Sequence, residues 1–323
     1  MGAMQGTLLN LIIYISLVAI GALLGSRRLW GDRTAYWLNR LQFVALMVLI
    51  VTLGVKLGGD DQVIASLGQI GIAALVITVF AVAGSLIAVT LLRRFVLKLD
   101  RFGRTADAAG EDTTPQQGGR ADNALTKWIV AAVALGMAVG YFLLPDGGTW
   151  WCGTVIDFGL YLLLFLVGID MGRQGTVLRD IRSAGFQVLL VPVSVLLGTL
   201  LFSLAAGFLL PLGAKDAAAA SAGLGWYSLA PTLLAPYSLS LSAVAFLSNV
   251  MREILSIVAI PFVARYVGYL ECVALPGAAA MDTVLPVVIG ATHERITIYS
   301  FASGVVLSLL VPILVPLIVA LPV

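Results

Sequence analysis

The sequence predicts an all-α polytopic membrane protein with eight transmembrane helices, two broken or re-entrant helical elements and inverted repeats. Three observations predict it. Charge is scarce: 60% of the 323 residues are hydrophobic and 11% are charged, where soluble domains carry about 25% charged residues. The apolar residues gather into runs of about 20, the length a helix rising about 1.5 Å per residue needs to cross a hydrocarbon core of about 30 Å. Glycines recur at a fixed spacing in two stretches of the chain. The alternating pattern of a membrane β-barrel is absent, and too few polar residues remain to coat a soluble core of this size. The net charge of +2 is too small to point to nucleic acid as a partner. Cys152 and Cys272 lie far apart, match no metal or redox spacing, and read as small apolar residues.

Six spans are expected at about 8–25, 41–57, 63–92, 126–144, 154–171 and 185–211. No signal-peptide cleavage site follows the first run, so it is expected to be retained. Between the third and fourth spans, RRFVLKLDRFGRTADAAGEDTTPQQGGRAD carries charges, Gly and Pro that cannot sit in lipid. Sliding the chain by 114 residues lays Gly54, Gly58, Gly71 and Gly84 on Gly168, Gly172, Gly185 and Gly198. The chain therefore divides into a three-span repeat at 1–92, a polar linker at 93–125, a second repeat at 126–216 and a transport core at 217–323. Three is an odd number of crossings. The second copy must enter the membrane from the opposite side, which is the inverted repeat of many secondary transporters.

Short loops set the orientation through their Lys and Arg content. The loop after the first span holds Arg27, Arg28, Arg33 and Arg40, and the loop after the fifth holds Arg173, Arg179 and Arg182. The alternate loops hold Lys56 with Asp60 and Asp61, then Asp146, then Lys215 with Asp216. Both termini are thus expected outside, with the linker in the cytoplasm. Lys56 and Asp170, at the ends of the second and fifth spans, read as loop charges.

The last hundred residues follow another pattern. GLGWYSLAPTLLAP at 223–236 and PGAAAMDTVLPVVIG at 276–290 are short and interrupted by Gly and Pro. At an offset of 55, Trp226, Tyr227 and Ser228 fall on Met281, Asp282 and Thr283, and Pro231 falls on Pro286. Long apolar helices follow each, at about 238–267 and 296–321. Broken elements in corresponding positions of two copies point to a transport site at mid-membrane, with Gly223, Gly225, Gly277, Pro231 and Pro286 as the helix-breaking residues. Re-entrant elements would give eight spans and crossing elements ten. Eight is favoured because Arg265, His293 and Arg295 then share the cytoplasmic side.

An ionisable residue in hydrocarbon costs from about 2.5 kcal/mol upward, so those that remain are candidates for function. Glu253 and Arg252 lie in the middle of the long helix, and adjacent helical residues do not face each other, which argues against a simple ion pair. Asn249 shares the face of Glu253 one turn earlier. Asp282 lies in the second broken element, where the alternative is a helix cap. Trp226 and Tyr227 read either as an interfacial aromatic pair or, with Ser228 and Thr283, as part of the site. His293 reads as a solvated loop residue. No P-loop, HExxH, nucleophile–base pair or dinucleotide fingerprint is present, so no enzyme, metal centre or cofactor is expected and an ion gradient is left as the energy source.

At GLGWYSLAPTLL, SNVMREIL, AAAMDTVLPV and SLLVPILVPLI the chain resembles the LysO-type L-lysine exporters. The order and spacing of these blocks agree with that family from about residue 220 onward. The resemblance implies eight spans in a bacterial inner membrane and export of L-lysine and close analogues. It places the family's pair of essential intramembrane acids on Glu253 and Asp282. Where relatives often carry a further acid one turn before the Arg-Glu pair, this chain has Asn249.

Two carboxylates suit a cationic amino acid and a competing proton, which makes the proton the expected coupling ion. Moving a net +1 out of a negative cell is opposed by about 2.3 kcal/mol per 100 mV, and inward protons offset that. The breaks near Gly223, Gly225 and Gly277 are expected to offer helix N-termini to the substrate's α-carboxylate. Two other readings stand beside proton-coupled lysine export: a Na⁺/H⁺ or organic-anion carrier of the same architecture, and a channel or receptor. The lipid bilayer is a partner in any of them, and an oligomer is compatible with all.

Overall fold

The computed structural model describes residues 2–26, 32–103, 124–144, 148–173, 187–281 and 283–321. The described residues are helical and hold no strand. This is the expected answer to a solvent that cannot hydrogen-bond backbone groups, since a helix satisfies them within itself. Six helical stretches are long and apolar enough to cross a membrane: Tyr36–Gly58, Leu67–Val96, Trp150–Ile169, Gln187–Gly207, Leu239–Tyr266 and Ile296–Ala320. Two shorter apolar stretches, Ile12–Gly25 and Ala131–Leu143, accompany them. Large apolar side chains such as Ile72, Leu75, Leu197 and Leu201 point outward, which only lipid tolerates along a whole helix.

The first half contains α1 (Gly2–Gly25), α2 (Asp32–Gly58), the short α3 (Asp61–Ala65) and α4 (Leu67–Leu91). Beyond residue 123 follow α5 (Ala124–Leu143), α6 (Trp150–Arg173) and α7 (Gln187–Gly207). Helices in lipid gain little from burying apolar surface and pack instead by close approach of small residues. The glycines show where. A Cβ on Gly21 or Gly25 of α1 would strike the backbone of α6 at Phe165 and Ile169, and one on Gly168 or Gly172 would strike α1. Gly54 and Gly58 of α2 meet α5 in the same way at Val133 and Met137, and Gly136 and Gly140 return the contact. On α4 and α7, Gly84 and Gly198 touch each other's carbonyls. Gly84→Leu is expected to force α4 and α7 apart, at the cost of about 1–3 kcal/mol typical of overpacking. Thermal unfolding of the purified protein in detergent measures it.

The second half contains two broken elements and two long helices. α8 (Ala214–Ser221) ends at a non-helical stretch before α9 (Leu229–Leu234), and α10 (Leu239–Tyr266) follows. α11 (Tyr269–Ala274), a 3₁₀ turn at Gly277–Met281, α12 (Leu285–Ala291) and α13 (Glu294–Ala320) repeat that order. The two ends of each broken element lie side by side. In the first, the Tyr237 hydroxyl lies 3.4 Å from Oδ1 of Asp216 and Lys215 sits over the Tyr237 ring. In the second, the rings of Tyr269 and His293 are 5.4 Å apart.

Two expectations need correction. The polar linker does not begin at 93: α4 runs on through a π turn at Leu92–Val96, closed by the Leu97 N–H donating to the Leu92 carbonyl at 2.9 Å. That extra residue per turn carries Arg93 inward, where its Nε donates to Oε1 of Glu271 at 2.6 Å. Residues 97–103 then pack on the second broken element, with the Tyr269 N–H donating to the Arg101 carbonyl at 2.8 Å. His293 is not a solvated loop residue. It is buried, its Nε2 donates to the Phe102 carbonyl at 2.6 Å, and its ring meets Tyr269, which stacks edge-on with Phe102.

Candidate transport site

The tips of the two broken elements meet. The Ala278 N–H donates to the Leu224 carbonyl at 2.8 Å, so the non-helical stretch of one element is hydrogen-bonded to that of the other. Such an approach needs backbones without intervening side chains. Gly225 and Gly277 supply it: a Cβ on Gly225 would collide with the Pro276 carbonyl and one on Gly277 with the Leu224 carbonyl, and both residues have positive φ, at 98° and 65°. Leu224 also takes a left-handed conformation, φ 51°, which costs a non-glycine residue about 1 kcal/mol or more and marks a stretch held in place by its surroundings.

α10 passes directly beside this meeting point. Asn249, 2% exposed, accepts from the Gly225 N–H at 2.7 Å and donates to the carbonyls of Ala220 at 3.2 Å and Ala245 at 2.7 Å. Arg252 lies three residues on and is also buried. Its Nε donates to the Leu275 carbonyl at 2.9 Å, Nη2 to the Ala274 carbonyl at 3.2 Å and Nη1 to Oγ1 of Thr199 at 3.2 Å. Glu253 follows at 1% exposure, midway along the helix and its single acidic residue. Thr78 of α4 fixes the same turn of α10 from another side, donating to the Ser248 carbonyl at 2.9 Å.

The remaining sequence candidates divide by position. Gly223 packs against Asn249, where a Cβ would meet its side-chain amide. Tyr227 turns away from the tip contact and joins Ile50 of α2, Val133 of α5, and Phe246 and Val250 of α10. Trp226 is half-buried beside it, and Ser228 is buried at the start of α9. Pro231 and Pro286 lie within the first turns of α9 and α12, where a missing N–H leaves no broken bond, and they mark where the second halves begin. Thr283 is half-buried after the second tip. Asp282 lies outside the described residues. Gly223 and Gly225 follow the C-terminal end of α8 and precede α9, while Gly277 lies after α11 and opens the 3₁₀ turn at Gly277–Met281, so each tip lies between the carbonyl end of one helix and the N–H end of the next.

Sequence reasoning missed Thr199, one residue beyond Gly198, and the buried pair of Arg93 and Glu271. Glu271 had a signal, an acid inside YLECVAL, masked by its place just before the second Gly/Pro break.

The chain matches the family model described as "Lysine exporter LysO" over residues 15–110 and 130–319, which takes in both tips, α10 and α13. The protein belongs to the LysO lysine exporter family. Among curated relatives of this LysO-family chain, Lysine exporter LysO of Escherichia coli is 34% identical over 160 residues, 49% of this chain and 53% of the relative. The "Putative lysine exporter" of Haemophilus influenzae is 28% identical over 195 residues, 58% of this chain and 94% of the relative. The match to the Escherichia coli protein thus spans about half of that protein's length. No solved structure matches the LysO-family chain.

Proposed function

We propose that this LysO-family chain is a secondary active transporter that exports L-lysine and close analogues from the cytoplasm by proton antiport. The observation that carries this reading is Glu253, a carboxylate buried midway along α10, next to Arg252 and one turn from Asn249, whose side chains hold the meeting tips of two broken helices. A buried acid in an apolar span, placed where helices break, is where a transported cation finds charge and backbone carbonyls together. The names of the relatives supply the cation. Asp282 serves as the second carboxylate on the family resemblance, with Thr283, Trp226, Tyr227 and Ser228 in the walls. Proton and lysine take turns at these carboxylates as the site faces each side of the membrane in alternation.

Eight spans and two re-entrant elements fit the side-by-side ends of each broken element, since an element that crossed the membrane would part its ends. Inverted repeats fit the glycine contacts: α1 on α6 and α2 on α5 exchange under the sequence offset, while the contact of Gly84 with Gly198 maps onto itself. The basic loops support a topology with both termini outside the inner membrane. Reporter fusions are expected to be active as periplasmic enzymes at either terminus and inactive when placed between residues 104 and 123.

Lysine counterflow by purified protein in proteoliposomes tests the function. Saturable uptake of labelled lysine into lysine-loaded vesicles, with alkalinisation or acidification of the lumen opposite to lysine movement, is expected. Absence of counterflow, or movement of Na⁺ without lysine, overturns the reading, and a channel shows no counterflow at all.

A further inference from the structure

Two negative helix ends converge at the tips. α8 ends at Ser221 and α11 at Ala274, and the non-helical stretches that follow hydrogen-bond to each other. Each helix end carries the partial negative charge of its unpaired carbonyls, up to about half an elementary charge. Nothing in lipid solvates them. The side chains that do are both on one turn of α10. Asn249 takes the Ala220 carbonyl of α8 and returns an acceptor to the Gly225 N–H. Arg252 takes the Ala274 and Leu275 carbonyls of α11, and its third contact is a neutral hydroxyl, Thr199. The ion pair of Arg93 with Glu271 lies at the other end of this element and does not involve Arg252. The guanidinium of Arg252 is thus engaged by carbonyls and one hydroxyl, with its carbon 3.3 Å from where a Cβ on Gly277 would sit.

We propose that Arg252 is a positioning residue for transport: it ties the tip of the second broken element to α10 by holding the carbonyls at the end of α11, and it does not touch the transported molecule. This deepens the transport reading and rests on it. Asn249 is the neutral counterpart of the same device on the first element. A guanidinium is suited to the task because its planar fork reaches two successive carbonyls at once, which an ammonium cannot do in the same geometry.

The test separates the tie from the transport. Hydrogen exchange by mass spectrometry on purified full-length protein reads the tip amides in peptides covering 222–228 and 275–281 and needs no substrate. Arg252→Gln is expected to speed exchange in 275–281 by about tenfold or more, and Arg252→Lys, which keeps the charge and loses the fork, by an intermediate factor. In lysine counterflow, Arg252→Lys is expected to lower the maximal rate about tenfold with KM within about twofold of wild type. A KM raised tenfold or more with unchanged exchange makes Arg252 a substrate ligand and overturns the proposal, and so does unchanged exchange with unchanged transport. If Arg252→Gln does not accumulate, Arg252→Lys decides alone. If wild-type protein moves no lysine, the export reading fails, while the exchange measurement still decides the tie.

Discussion

Glu253→Gln is expected to abolish lysine counterflow while leaving the protein folded. The substitution keeps the shape of the side chain and removes its charge, at a residue 1% exposed on a helix with no other acid. Losing the charged partner of a desolvated cation costs about 2–5 kcal/mol, which is about 30-fold or more in apparent affinity. A proton-coupled site loses more than affinity. A glutamine carries no exchangeable charge, so whatever exchange remains should no longer respond to an imposed pH gradient. Two readings in one preparation settle it: labelled-lysine counterflow with and without a gradient, and elution as a single monodisperse peak. Wild-type counterflow in the glutamine variant would remove Glu253 from the mechanism.

The second large effect is on stability. Arg93 and Glu271 form a pair whose side chains are 5% and 0% exposed, at an Nε–Oε1 distance of 2.6 Å. Arg93 also donates to the carbonyl of Leu99 at 3.2 Å and of Val267 at 3.5 Å, so one guanidinium joins the end of α4, the segment after it, the end of α10 and the start of α11. Removing either charge leaves the other buried alone, which costs about 3–5 kcal/mol. Glu271→Gln and Arg93→Met are each expected to lower the unfolding midpoint by many degrees. The double variant, with Met at both positions, is expected to recover most of the loss, since two apolar groups leave no charge to solvate. Thermal unfolding of the three variants checks it, and a double variant worse than either single one would show that the pair itself carries the stability.

The parts of this architecture legible in the sequence were those in which a residue type is dictated by local geometry. Gly84 and Gly198 stood out because no other side chain lets two backbones touch. The breaks stood out because Gly225 and Gly277 adopt positive φ. What stayed hidden depends on partners far along the chain. Arg93 follows an apolar run and reads as an interfacial charge, since its inward turn is set by Glu271, 178 residues away. His293 reads as a loop residue for the same reason, its partner Phe102 lying 191 residues back. The first halves of the broken elements, AKDAAAAS and YLECVA, are too short to show a helical period. Without them the glycines had no assigned side of a helix.

The backbone contact of Gly84 with Gly198 fixes a width. Thr199 is the next residue after Gly198 and holds Arg252, while Thr78, on the other helix of the pair, holds the carbonyl of Ser248. α10 is therefore held within one turn by contacts to hydroxyls of two helices that meet backbone to backbone at this glycine pair. The glycine pair acts as a gauge block: it sets how far the two hydroxyls must reach, and so whether the turn bearing Asn249, Arg252 and Glu253 stays in register with both tips. A methyl group on either glycine is expected to shift that register from one helix width away.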